Sequence, residues 1–239
     1  MTAPIPADVT VTITSCDRRD LLSETLASLR AHHVIGRLLI SEDSGSDDMR
    51  AWLAANVPDA TVLPGNRTGI MASIDRLHRA VETSYIFHLE DDWVFDGPVD
   101  FEAAKRALDA DPTISVVCVR AFDELKRKHR DRSAALGAGL RVMDPASHPE
   151  WYGYTSNPGL LRKAFWARYE PVSRFRHDEL SGIAKRDGFR VAYSVPGLAR
   201  HIGDGRHVVD AVPQGGRDRA SPLRRLRKAV KAKLKSLWA

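Results

Sequence analysis

The sequence has few cysteines and no long apolar run. Two cysteines, Cys16 and Cys118, occur in 239 residues, and both lie beside apolar β-type runs, where a thiol usually behaves as a small buried hydrophobe. A disulfide framework is therefore not expected. No run approaches the roughly 20 apolar residues that a membrane-spanning helix requires. Because an apolar fraction of 43% argues against a disordered chain, we expect one globular domain with a buried core.

The two ends of the chain lack different features. The first eight residues lack the basic segment and the apolar stretch of a secretory signal, so we expect a cytoplasmic protein. Residues 222–239 contain seven lysines and arginines and no acid. Without these seven residues the formal charge of +5 becomes −2, so the basic character belongs to this tail and a nucleic-acid partner is not expected.

Apolar residues recur every three or four positions in the tail, at Leu223, Leu226, Val230, Leu234 and Leu237. The spacing predicts a basic amphipathic helix within residues 216–239, after a main domain over residues 1–215. Such a helix suits the anionic inner face of a membrane, where apolar burial and charge attraction add, so we expect peripheral attachment there. The alternative is docking on the domain itself or on the partner subunit of a homodimer.

Strand-like and helix-like patterns alternate over the first third of the chain. β-Branched and aliphatic runs predict strands at 9–14, 38–40, 61–63 and 85–89, and helical spacing predicts helices at 20–29, 46–55 and 69–81. Asp20 and Ser46 are the expected caps of the first two helices. The later chain predicts a helix at 101–110, a strand at 114–119, a loop at 126–132, a helix at 178–187 and a strand at 189–193. This alternation predicts an α/β fold with a mostly parallel sheet and helices on both faces.

Polar residues follow each of the first four predicted strands. They are Ser15 to Arg18, Glu42 to Ser46, Asn66 to Thr68, and the run Glu90, Asp91 and Asp92. Ligands of such sheets bind at the carboxyl ends of the strands, so we expect these residues to form one site.

The three consecutive acids at 90–92 are costly to hold together, because like charges at short range raise one another's pKa values. A divalent cation removes the repulsion, and oxygen ligands suit Mg²⁺ or Mn²⁺ completed by water and phosphate. Strand alternation predicts Glu90 and Asp92 on one side and Asp91 on the other. The alternative is a solvated acidic turn or a helix cap.

The turn at 42–46 offers a second site for a ligand. A carboxylate there can accept a hydrogen bond from a base ring, and the turn exposes backbone donors near a helix N-terminus. Plain capping by Ser46 is the alternative.

These motifs together resemble a known family. Thr12, Ser15 and Arg18 of the first strand, the Glu-Asp-Ser-Gly-Ser turn at 42–46 and the Leu-Glu-Asp-Asp-Trp run at 89–93 resemble inverting glycosyltransferases of the GT-A (Rossmann-like) fold, family 2 above all. The Glu-Asp-Asp run is also similar to that of N-acetylglucosaminyltransferases. The resemblance covers about residues 9–207. Where the family usually has a Glu-Asp pair late in the chain, this sequence has His177-Asp178-Glu179.

The resemblance and the chemistry of the side chains assign a role to each candidate residue. The residues expected to bind the nucleotide sugar are Thr14, Ser15, Arg18, Glu42, Asp43, Asn66, Arg76, Glu90 and Asp91. Asp92 is the expected metal ligand, with His201 from a glycine-bearing loop as a second ligand. Glu179 is the expected catalytic base, and Asp178 is its reserve. The aromatic and polar residues expected to bind the acceptor are Trp151, Tyr154, Ser156 and Asn157.

The sequence therefore predicts a metal-dependent inverting glycosyltransferase that uses Mn²⁺ or Mg²⁺. It would move a sugar from a nucleoside diphosphate sugar, with UDP as the expected nucleotide, to a hydroxyl of a glycan or lipid-linked acceptor. One alternative is a sugar-1-phosphate nucleotidyltransferase, although no glycine-rich activating loop is found near the N-terminus. A second alternative is a non-catalytic module that binds glycan or nucleic acid.

Overall fold

The structure is a computed structural model that describes residues 2–203 and residue 206. Its helices are α1 (Arg19–His32), α2 (Asp47–Asn56), α3 (Ile70–Ala80), α4 (Phe101–Ala110), α5 (Arg127–Arg130), α6 (Lys163–Tyr169) and α7 (His177–Arg186). Its strands are β1 (Ala3–Pro4), β2 (Val9–Ser15), β3 (His33–Val34), β4 (Leu38–Glu42), β5 (Ala60–Pro64), β6 (Tyr85–Glu90), β7 (Trp93–Phe95), β8 (Ile114–Cys118), β9 (Ala134–Gly137), β10 (Leu140–Val142), β11 (Gly159–Arg162), β12 (Arg190–Ser194) and β13 (Ala199–His201).

A nine-stranded sheet forms the centre of the described chain, in the order β5-β4-β2-β6-β11-β8-β12-β10-β9. The first four strands in this order run parallel, and β12 runs parallel to β8. Strand β11 lies antiparallel between β6 and β8, and β10 and β9 form an antiparallel edge. The expected α/β fold with a mostly parallel sheet is confirmed.

Helices cover both faces of this sheet because its central strands are apolar on both sides. Val11 and Ile13 of β2 pack into a core with α1, α2 and α4. On the opposite face, Ile86 of β6 lies in a second core with residues of α3, α6 and α7. The threonines of β2 alternate with its aliphatic residues and are buried too. Strand β2 therefore ends in the middle of the fold with its last residues covered.

Most predicted elements are found within one or two residues, and α4 has the predicted bounds. Ser46 caps α2 as expected, accepting a hydrogen bond from the Met49 backbone N–H at 3.2 Å. Asp20 does not cap α1: it lies inside the first turn, and Arg18 occupies the N-cap position without a side-chain cap. The expected loop at 126–132 contains the short helix α5, which leads into β9 and β10.

Within the described ranges, no helix combines the length and the apolar character that are needed to cross a bilayer. The amphipathic helix predicted within residues 216–239, and the boundary predicted after residue 215, lie outside the described residues.

Candidate functional site

The ends of β2 and β6 bring one arginine and two aspartates together. Arg18 Nε donates to Asp91 Oδ2 at 3.2 Å, Arg18 Nη2 pairs with Asp91 Oδ1, and Arg18 Nη1 donates to Asp92 Oδ2 at 2.8 Å. Ser15 Oγ also donates to Asp91 Oδ2, at 2.8 Å. Both aspartates are almost fully buried, and Arg18 is only 14% exposed. One guanidinium thus pairs with two buried carboxylates and offsets one of their two charges, which reduces the cost of burying them.

Strand alternation across the three acids was wrongly predicted. Strand β6 ends at Glu90, so Asp91 and Asp92 lie in the turn before β7 and leave the two-residue period of the strand. As a result Asp91 and Asp92 share Arg18, and Glu90 faces a different partner, Ser156.

Asp92 has the surroundings of a cation ligand. Its Oδ1 atom is buried and has no hydrogen-bond partner among the described residues. Its Oδ2 atom lies 3.3 Å from Nε2 of His201, on β13. Gly203 packs so closely that a Cβ there would lie 2.3 Å from Asp92 Oδ2. A carboxylate with one orphaned oxygen, and an imidazole beside its other oxygen, offers ligand types that suit a divalent ion.

No group of three or more potential metal-binding side chains gathers among the residues that the structure describes. Asp92 and His201 would therefore supply two ligands, and phosphate and water would have to supply the rest. Mg²⁺ and similar ions are commonly bound in this way, through one or two protein ligands plus substrate phosphates.

Glu90 connects this acidic cluster with the next part of the site. It is partly buried and accepts a hydrogen bond from Ser156 Oγ at 3.1 Å. Burial, followed by the negative charge of Asp92, raises the pKa of Glu90 to about 7. Burial also raises the pKa of Asp91 to about 6, although Arg18 opposes the rise. Glu90 is thus the acid of this cluster that can hold a proton near neutral pH.

The turn after β4 is stabilised by its own carboxylates. Glu42 Oε1 accepts from the Asp17 backbone N–H at 3.0 Å, and Glu42 Oε2 accepts from Ser44 Oγ at 2.7 Å. Asp43 accepts from Thr68 Oγ1 at 2.6 Å and from the Gly69 backbone N–H at 2.8 Å. These bonds join the loops after β2, β4 and β5, so the three predicted loops do form one surface.

Arg76, Asn66 and Thr14 lie around the same surface. Arg76 of α3 donates to Ser41 Oγ at 2.7 Å and to Thr68 Oγ1 at 2.8 Å. Asn66 packs against Gly45, whose positive φ of 76° favours glycine and where a Cβ would lie 2.7 Å from Asn66 Oδ1. Thr14 Oγ1 is buried without a hydrogen-bond partner in the described chain.

A cavity of about 380 Å³ lies on the other side of Ser156. All four predicted acceptor residues line it, together with residues that were not predicted. The lining residues are Arg120, Leu125, Trp151, Tyr152, Tyr154, Thr155, Ser156, Asn157, His177, Val191 and Tyr193. Apart from Arg120 this lining is aromatic or uncharged, which suits the C–H faces and hydroxyl rims of a sugar.

His177, the first residue of α7, is a part of this cavity that sequence reasoning missed. Its Nε2 atom accepts a hydrogen bond from the Ser156 backbone N–H at 3.0 Å, and its ring contacts those of Trp151 and Tyr154. Burial lowers the pKa of His177 to about 4, so the ring is neutral. The departure from the Glu-Asp pattern at 177–179 was the one sequence signal that could have pointed to it.

Asp178 and Glu179 lie elsewhere. Both line a separate cavity of about 300 Å³. Asp178 pairs with Arg176, and Glu179 accepts from the Arg176 backbone N–H at 3.0 Å at the N-terminus of α7. The structure thus brings the predicted donor-side and acceptor-side residues together around Ser156, and places these two acids at a neighbouring opening.

No family model matches the chain, and no curated protein matches its sequence. Solved structures match its fold. GalNAc-T7 with UDP, GalNAc and Mn²⁺ superposes with a TM-score of 0.53 at 10% identity, over 80% of this chain and 43% of that one. The mannosyltransferase PcManGT from Pyrobaculum calidifontis, in complex with GDP-Man and Mn²⁺, gives 0.52 at 18% identity, over 80% and 56%.

A third match is S. aureus TarS 1-349 in complex with UDP-GlcNAc, with a TM-score of 0.52 at 11% identity, over 84% of this chain and 61% of that one. The chain therefore spans less than two thirds of the length of each of these structures. At such identities the likeness concerns the fold, and the GT-A fold expected from the sequence is confirmed.

Proposed function

We propose that this protein is a glycosyltransferase that takes its sugar from a nucleoside diphosphate sugar. One observation carries the proposal: the buried cluster of Arg18, Asp91 and Asp92 lies next to an aromatic cavity, and Ser156 connects the two through its hydrogen bond to Glu90. A transferase needs this adjacency, because donor and acceptor must meet at one bond. The fold shared with GalNAc-T7, PcManGT and TarS supports the proposal.

On the donor side, the loops after β2, β4 and β5 would hold the nucleotide, with Asp43 and Arg76 as part of their connected surface. Asp92 and His201 would hold Mn²⁺ or Mg²⁺. Such an ion, when bound, stabilises the negative charge of a departing diphosphate. The structures of GalNAc-T7 with UDP and Mn²⁺ and of PcManGT with GDP-Man and Mn²⁺ support this choice of ligands.

On the acceptor side, the cavity lined by Trp151, Tyr154 and Asn157 would bind a glycan or lipid-linked acceptor through its sugar ring. An inverting transfer also needs a carboxylate that takes the proton of the acceptor hydroxyl. Glu179 is the proposed base, with Asp178 as its reserve. If Glu179 is dispensable, Glu90 is the second candidate for the base. Its pKa is raised and it accepts a hydrogen bond from Ser156, so it is an acid that can exchange a proton where the donor side and the acceptor side meet.

Donor binding is tested by thermal shift with UDP, GDP, CMP and TDP, each with and without Mn²⁺. A ligand that binds only the native state raises the melting temperature. We expect one nucleoside diphosphate to raise it and Mn²⁺ to increase the rise. In Asp92→Ala the metal-dependent part should be lost while the protein stays folded. Asp96→Ala is the matched control, since Asp96 is a nearby acid in an exposed pair with Arg200. No response to any nucleotide would contradict the proposal.

The base is tested once a donor is known. Glu179→Gln should keep the nucleotide-induced thermal shift and lose turnover, whereas Asp178→Asn should keep both. Full turnover in Glu179→Gln would rule out Glu179 and move the test to Glu90→Gln.

A further inference from the structure

The guanidinium of Arg18 forms hydrogen bonds through all three of its nitrogen atoms. It contacts both oxygens of Asp91 and one oxygen of Asp92, and its Nη1 atom also lies 3.4 Å from the Arg206 carbonyl oxygen. All three side chains have little exposure to water. Solvent therefore screens these charges poorly, so the positive charge of Arg18 strongly offsets the attraction of the two carboxylates for a second cation.

The oxygen that Arg18 contacts on Asp92 is the oxygen nearest to His201. Asp92 Oδ2 accepts from Arg18 Nη1 at 2.8 Å and lies 3.3 Å from His201 Nε2. The other oxygen, Oδ1, is buried and has no partner among the described residues. A divalent ion bound between Asp92 and His201 must therefore either displace Arg18 Nη1 or share one carboxylate with it.

We propose that Arg18 is a built-in counter-cation that makes metal binding at Asp92 depend on the donor diphosphate. Without the diphosphate, Arg18 offsets one of the two aspartate charges and occupies Asp92 Oδ2, so a divalent ion would leave these three groups with a net positive charge. With the diphosphate, its negative oxygens offset the second cation and give Arg18 another acceptor. Metal and nucleotide then bind with positive coupling, and Arg18 is the residue that creates it. This inference rests on the proposed function. It attributes the dependence of metal binding on the nucleotide to one side chain, Arg18.

The test is the affinity of Mn²⁺ for the full chain, measured by electron paramagnetic resonance of free Mn²⁺ and by titration calorimetry, without nucleotide and with saturating UDP or GDP. Wild type should bind Mn²⁺ weakly alone and more tightly with the nucleotide. Arg18→Gln should bind Mn²⁺ alone about tenfold more tightly than wild type, and the gain from nucleotide should shrink by about the same factor, within the usual range of site-to-site coupling.

Arg30→Gln is the matched control. Arg30 lies at the other end of α1 and makes an exposed pair with Asp59 at 2.6 Å, so its loss removes the same charge without touching the site. It should bind Mn²⁺ as wild type does. If Arg18→Gln does not fold, as judged by its melting curve, Arg18→Lys replaces it. The ammonium lacks the planar fork that holds both oxygens of Asp91 and one of Asp92, so it should compete less for Asp92 and the Mn²⁺ affinity should lie above that of wild type.

The outcomes separate this inference from the proposed function. If nucleotide binds wild type and Arg30→Gln, but loss of the Arg18 guanidinium leaves the affinity for Mn²⁺ alone unchanged or weaker, the counter-cation is refuted and the donor site stands. If no nucleotide binds wild type but Arg18→Gln still gains Mn²⁺ affinity, Arg18 does oppose the metal, and the proposed donor is wrong.

Discussion

The two halves of the candidate site are built by different interactions. The half at the ends of β2, β4 and β6 is made of charged side chains that bond one another, as Arg18 does with Asp91 and Asp92. The half around the 380 Å³ cavity is made of rings in contact, as His177 is with Trp151 and Tyr154. Ser156 belongs to both, since its hydroxyl bonds Glu90 and its backbone N–H bonds His177.

Because of this difference, we expect the two halves to tolerate amino-acid substitutions differently. A buried charged network loses much when one member is removed, because the remaining partner stays buried without compensation. A partly exposed ring such as that of Trp151 loses contact area in proportion to what is cut away, whereas Tyr154 is buried in the core. We therefore expect the charged half to fix the geometry of the fold at this edge of the sheet, and Trp151 of the aromatic half to accept changes that alter binding alone.

The largest effect should come from Asp91→Ala. It leaves the Arg18 guanidinium, 14% exposed, without its two-oxygen partner, and we expect a loss of about 3–5 kcal/mol in the free energy of unfolding. Urea denaturation measures it. Asp59→Ala, which breaks the exposed pair with Arg30, should cost about 0–1 kcal/mol. Equal costs for the two variants would remove the distinction between a buried network and a surface pair.

A smaller effect, on how the free energy of unfolding depends on pH, should come from Glu90→Gln. The pKa of Glu90 is raised from 4.5 to about 7, so the folded state keeps a proton that the unfolded chain releases from about pH 4.5 upward. This group therefore lowers the stability of wild type as pH rises through that window. Relative to wild type, Glu90→Gln should gain about 2 kcal/mol between pH 5 and pH 8, at roughly 1.4 kcal/mol per pKa unit.

The measurement is urea unfolding at both pH values with a chelator present. The buried histidines titrate in wild type and variant alike, so the difference between the two proteins isolates Glu90. Exposed Glu82→Gln controls for the loss of one charge. A pH-independent difference between Glu90→Gln and wild type would show that Glu90 is ionised throughout.

The smallest effect on stability should come from Trp151→Ala. Trp151 is 37% exposed and contacts the His148 and His177 rings, so its loss should cost about 1 kcal/mol. The thermal shift with nucleotide should stay unchanged, while the KM for the acceptor rises about tenfold, as expected for loss of a stacking wall worth ~1.4 kcal/mol. Trp52→Ala, on α2 away from the cavity, is the aromatic control. A weakened nucleotide response in Trp151→Ala would show that the two halves are not separable.

Much of the fold was predictable because its signals are local. The alternation of valine, isoleucine and threonine in β2 and the cap Ser46 depend on residues within one turn or strand. Strand β11 was missed because its Gly-Leu-Leu-Arg sequence has no alternation, and it becomes a strand only by pairing with β6 and β8 on either side.

The sequence predicted which residues lie at the candidate site better than it predicted which of them bond to one another. Because parallel strands end at one edge of a sheet, the sequence placed the polar residues after β2, β4, β5 and β6 in one region. Which of them bond was not predictable. The alternation rule separated Asp91 from Asp92, and the end of β6 at Glu90 put both within reach of Arg18.

The sequence by itself determined the α/β alternation, the covered central strands and the concentration of acids at one strand end, because local propensity and hydrophobic period specify them. Only the tertiary structure decided that Arg18 reaches both aspartates, that His177 faces the aromatic cavity and that Glu179 caps α7 at a separate opening. Those outcomes depend on the distances and directions of side chains from elements far apart in the chain, which no local pattern encodes.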